Sequence, residues 1–243
     1  MHNEILFFII GLIFGSFANV CIYRLPIQQN IITPRSKCPS CKKPISWFYN
    51  IPVLSFILLK GLSSCCNTKI SFQYPIIEFL TAILFTYAAF TFQIYQAILI
   101  SFVIFILLIM VTIDLNKQII FLAFTYIIFF IGLLIQFFQP ELNPFNVSLK
   151  NSLITAVIAP SFFLILRYIF KKIKNVEALG LGDVYLIASL AIWTGFEKFL
   201  YLLIGSSITG IIFYLIFNRR NKKNFRIPFG SCIGITFIAL LFI

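Results

Sequence analysis

The sequence predicts an all-α, polytopic membrane helix bundle of about eight transmembrane helices, with a cytoplasmic, cysteine-containing loop after the first helix. Three observations carry this. Of 243 residues, 60% are hydrophobic and only 11% are charged, with a mean hydropathy of +1.01. A soluble domain carries roughly 25% charged residues, so this chain has too little polar surface to coat a globule and lipid must solvate much of it. The apolar runs are continuous rather than alternating, which argues against a barrel. Finally, the basic residues are gathered into a few short segments between the runs.

A span needs about 20 apolar residues. The first run, 5–23, is uncharged. The first ten residues hold His2 and Glu4 but no Lys or Arg, so the basic start of a signal peptide is missing and the run is expected to be a retained span. Segment 24–75 is polar and basic. The run 76–115 is too long for one span, and Thr91-Phe92-Gln93-Ile94-Tyr95-Gln96 divides it into spans near 76–92 and 95–114. Further spans are expected at 119–138, 151–169, 184–196, 199–217 and 227–243, the sixth being short and tilted or shielded. This divides the chain into a first helix (1–23), a loop domain (24–75) and a seven-helix membrane domain (76–243).

The net charge of +12 resembles a nucleic-acid signal, but its distribution does not. Seventeen of the 19 Lys and Arg fall at 24–75, Lys117, 167–174 and 219–226, and only Lys150 and Lys198 fall elsewhere. With eight spans, those four segments share one side. The positive-inside rule makes that side cytoplasmic and puts both termini outside. The partner is then the lipid bilayer, and nucleic acid is not expected.

Asp114 and Asp183 are the only aspartates. Each lies at the cytoplasmic edge of a span, so the topology gives them one depth and one leaflet. An ionisable group near lipid is costly, roughly 3 kcal/mol at a helix centre, and is a functional-site hypothesis by default. Two neighbouring carboxylates cannot both ionise easily. One keeps a proton and serves as general acid, and the other takes a proton from water. Gly180 and Gly182 permit close backbone approach beside Asp183. Two alternatives stand beside this: each aspartate simply caps a helix or turn, or the pair relays protons in a transporter. An acid at a helix C-terminus is disfavoured by the dipole, so Asp114 weighs against capping alone.

In the first loop stand Cys38-Pro39-Ser40-Cys41 and Cys65-Cys66. Paired thiols in a reducing compartment suggest a metal more than a disulfide, and the four sulfurs could close a tetrahedral zinc site. Cys21 and Cys232 lie within spans and read as small core residues.

These motifs together resemble the type IV prepilin peptidases. The resemblance rests on Gly15-Ser16-Phe17-Ala18-Asn19-Val20 with Tyr23-Arg24-Leu25-Pro26, and on the CxxC at Cys38. It continues through Asn50-Ile51-Pro52, Ser55, Gly61, Ile70-Ser71-Phe72-Gln73-Tyr74-Pro75 and Glu78. It ends with Thr112-Ile113-Asp114-Leu115 and the GxGD of Glu177-Ala178-Leu179-Gly180-Leu181-Gly182-Asp183. It implies a multi-pass inner-membrane aspartic endopeptidase with Asp114 and Asp183 catalytic near the cytoplasmic face. Its substrates would be type IV prepilins or type II secretion pseudopilins. It further implies N-methylation of the new amino terminus from S-adenosylmethionine, with the cysteine loop tied to that half and often carrying zinc. Glu78, near the loop exit, is the candidate for the methyl-donor site.

The chain departs from the family pattern twice. Ser63 stands where the first cysteine of a second CxxC belongs, so either Cys65 replaces it, or the site has three sulfurs, or zinc is absent and the enzyme is a peptidase only. Tyr185 stands where the family usually has Lys, two places after the aspartate. Serine or cysteine nucleophile chemistry is not expected, because the one histidine, His2, is predicted on the opposite face. From other classes, a proton-coupled transporter predicts inverted repeats, which the sequence lacks. A zinc scaffold leaves the aspartates unexplained.

Overall fold

The computed structural model describes all residues except Met1, Pro34, Pro39, 176–178 and 219–226. The Glu177 and Ala178 of the expected motif, Pro39 of the first cysteine pair and the basic segment at 219–226 therefore lie outside the described residues. The main elements are α1 (His2–Arg24), α2 (Leu54–Leu58), α3 (Gln73–Thr91), α4 (Ile94–Lys117), α5 (Leu122–Phe138), α6 (Leu149–Lys174), α7 (Leu181–Asn218) and α8 (Phe229–Leu240). No strand occurs among the described residues, only two isolated bridges. Five helices are long and apolar enough to cross a membrane: α1, α3, α4, α6 and α7. Each of the eight expected apolar runs falls on a helix, but α5 and α8 are shorter, with 17 and 12 residues. At 1.5 Å per residue α8 is only about 18 Å long, short of a hydrocarbon core of about 30 Å.

The chain forms two compact units, Met1–Ile109 and Met110–Ile243. In the first, α1 packs along α3. Gly11 and Gly15 make this possible, because a Cβ on either would stand 2.5 Å from the Cα of Ala82 or Glu78. Glycines four apart let two helix backbones touch, where association in lipid depends on such packing. Phe14 adds edge contact with Phe105 at 5.2 Å between ring centroids.

In the second unit Trp193 is the buried centre. Its indole N–H donates to the Ile128 carbonyl on α5 at 3.0 Å, and its own carbonyl accepts from the Asn143 amide at 3.0 Å. Gly132 on α5 makes room for its ring. Two residues on, Gly195 interrupts α7 with φ 59° and ψ −178°, a region that is essentially glycine-only. The chain folds back there. Asp183 and Gly210 line one cavity, although a straight helix would hold them about 40 Å apart. The expected sixth and seventh runs are thus two limbs of one helical hairpin, with the break at Gly195 rather than at the charged pair Glu197-Lys198.

Candidate active site

Asp114 projects from the last turns of α4 and is 5% exposed. Its Oδ2 accepts two hydrogen bonds from one residue at the start of α8: the Ser231 backbone N–H at 2.6 Å and the Ser231 hydroxyl at 2.7 Å. The same hydroxyl lies 3.0 Å from the Val111 carbonyl. A hydroxyl has one proton to give. It therefore donates to an ionised Asp114, or it donates to Val111 and accepts from a protonated Asp114. Ser231 fits both states of the acid. Both bonds tie the carboxylate to α8, 117 positions away in the chain.

Asp183 sits in the first turn of α7, at its third residue. The N–H groups of Gly180 and Gly230 both reach its carboxylate. The Gly180 contact is the reach-back of an N3 acid to its helix start, so Asp183 does cap α7. It also faces Asp114. A Cβ built on Gly230 would lie 3.1 Å from Asp183 Oδ1 and 3.2 Å from Asp114 Oδ2. The two oxygens therefore approach the same glycine and are separated by no more than the sum of those distances. Ile120 Cδ1 lies only 2.5 Å from the same Cβ position, so Ile120 and both acids can close over residue 230 only because it has no side chain. Gly182 matters differently: a Cβ there would meet Ile120 at 2.9 Å, so this glycine brings the turn of α7 down onto the α4–α5 connection.

The pair opens into a cavity of about 1400 Å³. Phe163, Leu166, Phe170, Tyr214 and Phe229 supply much of its apolar wall, and Gln118, Arg167, Asn175, Ser206 and Ser207 its polar edge. The Arg167 guanidinium donates to the Leu179 carbonyl immediately before Gly180. It thereby holds the GxGD turn from α6. Tyr185, at the position of the missing lysine, instead meets the Tyr126 ring at 6.1 Å. Ser231, Gly230 and Arg167 were not singled out from sequence. The Pro228-Phe229-Gly230-Ser231 break before a last apolar helix was the one available signal for the first two. Arg167 reads as the first of a basic helix end.

In the first unit, two small knuckles present the loop cysteines. Lys37 pairs with Pro44 and Leu62 with Lys69. Each knuckle turns through a positive-φ residue, Lys42 in one and Asn67 in the other. Ser63 occupies in the second knuckle the place that Cys38 occupies in the first, as the amides of Asn67 and Lys42 bond their respective carbonyls. Cys65 nevertheless turns inward. The Sγ atoms of Cys38, Cys41, Cys65 and Cys66 all lie within 4.8 Å of one another, with Cys38–Cys66 at 3.6 Å and Cys41–Cys65 at 3.1 Å. Tetrahedral zinc with Zn–S near 2.3 Å needs sulfurs about 3.8 Å apart, so the cluster fits such an ion. Of the three sequence options, replacement of the missing thiol by Cys65 is the one this geometry favours. The Ser63 and Thr68 hydroxyls push the Cys66 thiol down to about 6, whereas the Cys41 thiol beside it pushes Cys65 up to about 12.

Glu78 is buried in α3. Its Oε2 accepts the Val53 N–H at 2.7 Å, and the Ser16 hydroxyl also bonds it. Cys21 and Cys232 are buried, as small core residues should be.

Residues 9–92 match the bacterial peptidase A24 N-terminal domain, and residues 100–215 match the type IV leader peptidase family. A Klebsiella pneumoniae protein called prepilin leader peptidase/N-methyltransferase is 35% identical over 197 residues, 78% of this chain and 84% of the relative. An Aeromonas salmonicida protein of the same name is 33% identical, covering 97% of this chain and 89% of the relative. One from Pectobacterium carotovorum is 31% identical over 93% and 88%. No solved structure matches significantly. Two consecutive domain matches and relatives aligned along most of the length agree with the motifs around both aspartates: the chain belongs to the type IV leader peptidase family.

Proposed function

We propose that this chain is a multi-pass inner-membrane aspartic endopeptidase that cleaves the leader from type IV prepilins or type II secretion pseudopilins. One observation carries the reading: two carboxylates converge over Gly230, which has no side chain to part them, at the edge of a large, mostly apolar cavity. The hydrophobic helix of a substrate lies against the spans, and its scissile bond enters between Asp114 and Asp183. One aspartate takes a proton from water as the water attacks the carbonyl. The other protonates the carbonyl oxygen; as the gem-diol collapses it takes a hydroxyl proton back, while the first aspartate passes the proton it took from water to the leaving amine. No acyl-enzyme forms. The pair titrates as a unit, so neither acid owns a separate pKa. The gathering of Lys and Arg into a few segments supports the cytoplasmic face for this chemistry, with both termini outside.

The relatives' second name supports a second activity, N-methylation of the new amino terminus. S-adenosylmethionine supplies the methyl group in that chemistry. Glu78, the candidate for its site, has its carboxylate committed to Val53 and Ser16, so no residue is assigned to the donor. Zinc, held by Cys38, Cys41, Cys65 and Cys66, would lock the two knuckles together; its role there is structural.

The test is Asp114→Asn and Asp183→Asn, made separately and assayed on a membrane-inserted prepilin. Each is expected to abolish cleavage while the protein still inserts and purifies normally. A parent protein that cleaves nothing would favour the transporter alternative, and a variant that still cleaves would remove its aspartate from the mechanism.

A further inference from the structure

The loop of the first unit exposes large apolar side chains amid positive charge. Segment 24–75 holds seven Lys and Arg and no acid, and Lys37, Lys42, Lys43 and Lys60 are all exposed. On α2, Leu54, Ile57 and Leu58 share one face by their i, i+3, i+4 spacing. All three are exposed, Leu58 to 79%. Ser55, on the opposite face, is buried, and its hydroxyl bonds the carbonyls of Phe48 at 3.2 Å and Ile51 at 2.8 Å. That tie sets the turn Trp47–Asn50 beside α2. There Trp47, 70% exposed, stacks on Phe48, and Tyr49 is exposed as well.

The depth of this segment is fixed by an independent feature. Val53, a β-branched residue, has φ 60° and ψ −48°, and the Leu54 N–H bonds the Pro52 carbonyl at 2.6 Å. This is the rare, strained γ-turn of positive φ. The buried Glu78 carboxylate holds it through the Val53 N–H. Glu78 lies five residues into α3, about 8 Å along its axis, and packs at Gly15, nine residues or about 14 Å before the end of α1. The loop therefore dips back beside the interior turns of two spans instead of standing clear of their ends.

We propose that residues 47–58 form an interfacial membrane anchor. The Leu54–Ile57–Leu58 face and the Trp47–Tyr49 rings enter the headgroup and acyl boundary of the bilayer crossed by α1 and α3, and the surrounding lysines meet anionic phospholipid. Aromatic rings with Lys at that depth are what the interface favours, and each nearby cation gains from an anionic surface. Part of the segment's backbone is paired within its own turns, as with the Ser55 and Ile57 amides, and the Val53 N–H is taken by Glu78, which lowers the cost of insertion.

The chain has two tryptophans, and Trp193 is buried in the second unit. The emission of the parent minus that of Trp47→Phe therefore isolates Trp47 without disturbing the core. The protein is placed in nanodiscs of phosphatidylcholine with phosphatidylglycerol, using acyl chains brominated near the headgroup or near the methyl end. The expected result is a blue-shifted Trp47 component, lost with the shallow bromine and resistant to aqueous acrylamide. Leu58→Asp is expected to turn the component red and acrylamide-accessible. Phosphatidylcholine alone is expected to weaken the protection. A Trp47 component open to acrylamide in every bilayer overturns the proposal. So does protection that appears only when a prepilin peptide is added, or only at high protein-to-lipid ratio, because the occupant would then be substrate or a second copy.

Discussion

Replacing Ser231 with alanine removes one hydroxyl beneath the aspartate pair and leaves the chain otherwise intact. That hydroxyl is one of two donors on Asp114 Oδ2, at 2.7 Å, and it is fully buried. The backbone N–H at 2.6 Å remains, so Asp114 keeps its position but loses a partner that suits both protonation states. A hydrogen bond to a charged group is worth about 1.5–3 kcal/mol net. If the loss falls on the transition state, kcat drops roughly 10- to 150-fold. Substrate packing in the cavity is untouched, so KM should hold. The assay is cleavage of membrane-inserted prepilin in nanodiscs, with kcat and KM resolved across pH. A two-carboxylate mechanism gives a bell-shaped profile, and the Ser231→Ala curve should not superimpose on the parent curve after scaling. Thr236→Val is the control. It removes a hydroxyl bonded to the Cys232 carbonyl further along α8 and should leave kcat within about twofold. A Ser231→Ala enzyme with parental kcat, or one whose profile is merely scaled down, would refute the role assigned to this hydroxyl.

Gly230→Ala puts a methyl 3.1–3.2 Å from both carboxylates and 2.5 Å from Ile120. A displacement of about 1 Å can cost 10²-fold, so cleavage should fall by roughly that factor while thermal stability in detergent changes little. Gly195→Ala forces a side chain into a glycine-only conformation and against Val147. It should lower the unfolding midpoint, by about 1–3 kcal/mol equivalent or more, and reduce the yield of inserted protein. In the cysteine loop, Cys65→Ser should lose zinc as fully as Cys66→Ser, measured by metal content of the purified protein. The double change Ser63→Cys with Cys65→Ser restores the CxxC spacing and should keep the metal. Retention of zinc by Cys65→Ser alone would show a three-sulfur site.

Much of the helix order was legible because lipid imposes a coarse local rule. Runs of apolar residues must become helices, so the division of 76–115 at Phe92 and Gln93 could be read directly, and the two acids could be expected to meet. The position of the α7 turn was not. Glu197 and Lys198 looked like the loop, but the chain turns at Gly195, because only a residue without Cβ can take that φ and ψ against Val147. The knuckle cysteines were visible as types, whereas the inward turn of Cys65 depended on how two hairpins face each other. Capping and function were posed as rivals for Asp183, but the folded turn allows one carboxylate to do both.

The sequence alone determined that this chain is a set of helices apolar enough to cross a membrane, that its basic residues gather in a few segments, and that Asp114 and Asp183 are its acids of interest. Hydropathy and charge act residue by residue, so they survive in one dimension. The tertiary structure decided what holds those acids. Ser231 reaches Asp114 across 117 positions, and Gly230, having no side chain, lets both carboxylates and Ile120 close over it. Such contacts depend on where α8 starts against α4 and α7, which no local pattern encodes.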